Sequence, residues 1–65
     1  MVQVTCEKNK VSVFFNGNLI DSWNVARHYG DAMKYIQKHP NGRHGKRFYS
    51  WMRMFGEEVP PNFRL

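Results

Sequence analysis

Cysteine occurs only once in this chain, at Cys6. No intrachain disulfide can form, so a reducing, cytoplasmic setting is expected. No apolar run approaches the roughly 20 residues that span a bilayer, so no membrane-spanning segment is expected. Met1 leads directly into an alternating segment, so no signal peptide is expected either, and the chain reads as a complete short gene product. Neither a Walker-type phosphate loop nor a dinucleotide fingerprint is present. Acidic residues are few and scattered: Glu7, Asp21, Asp31, Glu57 and Glu58. A hydrolase built on paired carboxylates has little to draw on, and Glu57-Glu58 reads as a solubilising tail. At 65 residues the chain also has little room for a deep pocket. No catalytic residues and no cofactor are expected, and the chain is read as a non-enzyme.

The most telling absence is narrower. Between Asp31 and Glu57 no acidic residue occurs, while the same stretch holds Lys34, Lys38, Arg43, Lys46, Arg47 and Arg53, with His39 and His44 among them. Like charges repel, so their concentration costs energy unless an anionic partner offsets it. The whole chain carries a formal net charge of +5. That balance points to nucleic acid, an anionic membrane surface or an acidic protein face.

What is present implies a small α+β domain. Ordering 65 residues costs on the order of 1.5 kcal/mol each, so most large side chains are needed for the core. Val2, Val4 and Cys6 alternate with polar residues, as do Val11, Val13 and Phe15, which is the period of strands. Asn16-Gly17 is a strong hairpin signal, since both residues tolerate positive φ. The pattern predicts strands over about 2–7, 10–15 and 18–24 in an antiparallel meander. A two-residue loop pairs Val13 with Ile20 and Phe14 with Leu19. Val11, Val13, Phe15 and Ile20 then share the core face, and Phe14, Leu19 and Trp23 the other; a longer loop shifts that partition.

The period then changes. Tyr29, Ala32, Met33 and Ile36 form one helical stripe, predicting a helix over about 29–38, or from nearer Asp31 because Gly30 is a weak former. Pro40 and Asn41-Gly42 end it. Phe48, Trp51, Met52 and Phe55 predict a second helix over about 46–55, closed by Gly56 at C′. An extended tail, 57–65, follows, in which Phe63 and Leu65 are placed to pin it to the body.

The candidate binding residues are Lys38, Arg43, His44, Lys46, Arg47, Tyr49 and Arg53. Cations at these positions suit phosphate oxygens, and Tyr49 is the ring expected to be exposed beside them. The glycines at Gly42 and Gly45 are expected to let backbone amides approach a phosphate. Lys46 and Arg47 fall where the second helix is expected to begin, a place that cations do not stabilise. Phe14 and Trp23, if both exposed, form a second stacking platform, although cover by a helix is the expected outcome. His39 and His44 are spaced as His pairs on zinc can be, and His28 and Cys6 could complete four ligands, but Cys6 has no CxxC or CxxxxC partner; the histidines read as a basic surface loop, and no metal is expected. The pattern implies a small basic nucleic-acid-binding accessory or regulatory protein, DNA or RNA, held by phosphate contacts through 38–53. Six such contacts correspond to a salt slope near −5 on duplex DNA. The alternative is a modulator or inhibitor of a larger host enzyme, of the kind small viral or mobile-element genes encode, docking its basic face on an acidic protein groove. A membrane partner is not expected, because the basic helix is short and its apolar stripe is needed for the core.

Overall fold

A computed structural model describes residues 1–26, 28 and 30–63. It is an α+β fold: three antiparallel strands followed by two helices. Strand β1 spans Val2–Glu7, β2 Lys10–Phe15 and β3 Asn18–Asn24, in the sheet order β1-β2-β3. The β2–β3 loop is the two-residue turn that Asn16-Gly17 implies, with φ of 50° and 85°. Both angles lie in the left-handed region that a primed hairpin turn requires.

The register departs from simple alternation. Phe14 pairs with Leu19 as expected, but Val13 faces Asp21, and Ile20 is the extra residue of a bulge. One extra residue moves every later side chain of β3 to the opposite face. Trp23 therefore lies opposite Val11, on the helix-covered side, and is buried. The expected grouping of Trp23 with Phe14 and Leu19 is corrected by this bulge.

Helix α1 runs over Ala32–Lys38. Asp31 is its N-cap, its carboxylate accepting from the Lys34 N–H at 3.2 Å. Ala32 and Ile36 are buried, and Met33 packs at the margin of the core. The predicted start at residue 29, and Tyr29 in the stripe, fall outside the described residues or before the cap. Helix α2 spans Arg43–Met54, three residues earlier at its start than the apolar stripe implies. Its first turn holds Gly45, whose missing Cβ would lie 2.5 Å from the Pro40 carbonyl oxygen and 2.6 Å from that of His39. Only glycine permits this approach, so helix and preceding turn pack directly against each other. At the other end Gly56, at φ 76°, donates to Arg53 and Glu57 donates to Met52, a Schellman closure.

Both helices cover one face of the sheet. The core joins Val2, Val11, Val13 and Trp23 of the strands to Ile36, Phe48 and Tyr49 of the helices. Phe63 completes it against Tyr49, with ring centroids 5.3 Å apart. The tail is pinned by Phe63 as expected; Leu65 lies outside the described residues. The other sheet face is open, with Leu19 exposed and Phe14 half-buried.

A candidate polyanion interface on the second helix

Helix α2 presents two chemically distinct sides. At about 100° per residue, Arg43, Lys46, Arg47, Ser50, Arg53 and Met54 fall within an arc of about 120°. Apart from half-buried Ser50 these residues are exposed. Arg43, Lys46, Arg47, Ser50 and Met54 line a shallow groove of about 490 Å³ with Asp21 and Trp51. Arg53 lies on the same side, one turn further along. Lys38 is exposed at the end of α1 and is not among the groove residues.

The sheet-facing side anchors this arc. Asp21, brought to the covered face by the bulge, accepts from Arg47 Nε at 2.7 Å and from Arg47 Nη2 at 2.9 Å. The same carboxylate accepts from Trp51 Nε1 at 2.9 Å. Hydrogen bonds from Arg47 hold the Asp21 carboxyl below its ordinary pKa, against the opposing effect of burial. The reciprocal bond raises the pKa of Arg47. The Arg47 guanidinium also lies 4.6 Å from the centroid of Trp23, within cation–π range. Trp23 in turn donates from Nε1 to His44 Nδ1 at 2.8 Å. Strand β3 and helix α2 are thus joined through Asp21, Arg47, Trp51, Trp23 and His44.

Several expected site residues are therefore placed elsewhere. Tyr49 is 2 % exposed, packed on Phe48 and Phe63, and burial raises its pKa. It does not serve as an exposed stacking ring. His44 is 8 % exposed, and desolvation, with the nearby Arg43 charge, lowers its pKa. It faces Trp23 and Tyr35 and not solvent. Gly45 is buried against the His39 and Pro40 carbonyls, so it offers no amide to a phosphate. Trp23 is withdrawn from the open sheet face, so it does not join Phe14 in a stacking platform there. Arg43, Lys46 and Arg53 keep the exposure expected of them, and no ion pair engages them among the described residues.

Two participants carry no signal in the sequence: Asp21 reads there as one scattered acid, and Glu57 as part of a solubilising tail. Glu57 accepts from the Val2 N–H with both carboxylate oxygens, at 3.2 and 3.0 Å, and so ties the end of α2 to β1. No local signal marks either role; both depend on which face a residue reaches after folding. Among the described residues no group of three or more His, Cys, Asp or Glu side chains is placed to hold a metal ion. None of their helices is long and apolar enough to cross a membrane. No family model matches the chain, and no curated protein or solved structure matches it.

Proposed function

We propose that this chain is a small nucleic-acid-binding accessory or regulatory protein that grips phosphates through the outward side of α2, in a reducing, cytoplasmic setting. One observation carries the reading: Arg43 and Lys46 line a single open groove and, like Arg53, meet no carboxylate among the described residues, while Asp21, which also lines the groove, is already engaged by Arg47. A rigid helix presenting cations in one arc complements the regular phosphate spacing of a polynucleotide. The proposed role is binding, without a reaction. Half-buried Trp51 lines the groove and adds an aromatic edge, but its N–H is committed to Asp21.

Engagement of Arg47 reduces the number of available contacts. Arg43, Lys46 and Arg53 supply three, which gives a slope of log Kobs against log salt of about −2.7 on duplex DNA. Fluorescence anisotropy with labelled duplex and single-stranded oligonucleotides, titrated at several salt concentrations, reads this slope directly. Binding that ignores salt overturns the proposal.

A second reading, docking on an acidic protein groove, has its own support. Met54 is 72 % exposed beside the cations, and Phe55 is 38 % exposed. Apolar surface at this position contributes to a protein contact and adds nothing at a phosphate. Pull-down from nuclease-treated lysate separates the two: a stoichiometric acidic protein retained after nuclease favours this second reading.

A further inference from the structure

The two edges of the sheet differ. The outer strand β3 is blunted by its bulge at Ile20. A bulge is one way in which sheets discourage further pairing. The outer strand β1 has no bulge, no proline and an unbroken register from Val2 to Glu7. Met1 C=O accepts from Asn16 N–H, and Glu7 pairs with Lys10 across the first hairpin turn, so odd-numbered residues turn their backbone groups toward β2. By alternation Val2, Val4 and Cys6 turn theirs outward. The Val2 N–H is occupied by Glu57. Among the described residues the N–H and C=O groups of Val4 and Cys6 meet no further strand or side chain and are left at the edge. A cleft of about 560 Å³ runs along it, with Phe14 on one side and Met33, Phe48 and Met52 on the other.

We propose that β1 is a dimer strand, which pairs antiparallel with β1 of a second copy about a two-fold axis at Thr5 and creates a six-stranded sheet. The backbone groups select this register. It sets Val4 opposite Cys6 of the second copy, and each such pairing exchanges two backbone hydrogen bonds. The register shifted toward the N-terminus would displace the Glu57 carboxylate from Val2. The register shifted the other way would draw in Lys8, whose φ of 53° takes it out of the strand. Lys8 of the second copy arrives beside Val2, where Glu57 supplies a carboxylate that also pairs with the Met1 ammonium at 3.3 Å. Glu7 faces Gln3, so no like side-chain charges stand directly opposite each other along the pairing. This inference stands on the sheet edge and is independent of the phosphate reading.

Sedimentation equilibrium over a wide concentration range tests it. The wild-type chain is expected to approach twice its 7.8 kDa mass as concentration rises. Thr5 is exposed and lies opposite itself across the axis, so Thr5→Lys sets two cations in contact. Thr5→Lys alone and Thr5→Glu alone are expected to remain monomeric with unchanged far-UV circular dichroism. An equimolar mixture of the two is expected to recover the dimer mass. Leu19→Lys, on the same open face but away from the edge, is expected to dimerise like wild type. A chain synthesised with a methyl group on the Val4 nitrogen is expected to be monomeric, which covers the case in which a side-chain change unfolds the protomer. A wild-type chain that stays monomeric at every concentration overturns the proposal. So does a Thr5→Lys dimer as strong as wild type, or a Leu19→Lys chain that loses the dimer equally.

Discussion

The two sides of helix α2 come from one acid-free run of sequence and do opposite work. The sheet-facing side, with His44, Phe48, Tyr49 and Met52, spends its side chains on the core. The outward side keeps Arg43, Lys46 and Arg53 in solvent. Arg47 stands at the border, chained to Asp21 and laid over Trp23. A basic, aromatic-rich run is therefore not a uniform binding surface. Its rings are mostly structural and its cations are divided between structure and surface.

Changes on the sheet-facing side should act on stability first. Phe48 is 1 % exposed, and Phe48→Ala is expected to cost about 3–5 kcal/mol, enough to unfold so small a domain in a thermal melt. A melt shifted by only a few degrees would place Phe48 outside the core.

Arg47, at the border, serves both sides at once. Asp21→Asn weakens both Arg47 bonds; with Arg47 about half exposed, a loss of about 1–2 kcal/mol is expected by chemical denaturation. The same change releases a cation, so the salt slope on duplex DNA is expected to steepen by about 0.9. A variant less stable yet more salt-sensitive in binding is hard to explain unless Arg47 is shared between the two tasks. The wild-type pair has a pH signature as well. The folded pKa of Asp21 is depressed, so its contribution is complete above the unfolded value of about 3.9 and is lost as pH falls through the lower folded value.

His44 gives a smaller effect at milder pH. Its folded pKa is lowered by burial. Above about 6.5 both states are neutral and nothing is lost; below it the unfolded chain takes up a proton that the folded chain resists. Stability therefore falls as pH drops from about 6.5 toward the lower folded pKa. Protonation at Nδ1 would also remove the acceptor that Trp23 uses. In His44→Gln the amide oxygen can still accept from Trp23, and melts between pH 7 and pH 5 are expected to lose this slope, while melts below about pH 4 keep the acid limb of Asp21. An unchanged slope would place the titration on another group.

Much of the fold was legible because it rests on local periodicity. Asn16-Gly17 placed the hairpin, alternation placed three strands, and the Phe48 to Phe55 stripe placed α2. The legible part ends where one residue changes the outcome. Nothing in Asn18–Asn24 announces a bulge at Ile20, yet it moves Asp21 and Trp23 beneath α2. The early start of α2 was hidden because Gly45 is a poor helix former, and its value lies in a contact with His39 and Pro40. For the candidate site, the cations were legible as charge, but their division between Asp21 and solvent was not. Tyr49 and His44 were misplaced for the same reason: in a chain this short, large rings next to charges are needed inside.

Reversing the outward side alone is expected to leave the fold almost untouched, since exposed substitutions usually stay within about 0.5 kcal/mol. The most direct measurement is therefore the anisotropy salt titration of the wild type beside the triple variant Arg43→Glu, Lys46→Glu, Arg53→Glu, with thermal melts of both. A slope of about −2.7 on duplex DNA is expected for the wild type, no measurable binding for the variant, and closely similar melts. Equal binding by two equally folded proteins would contradict it.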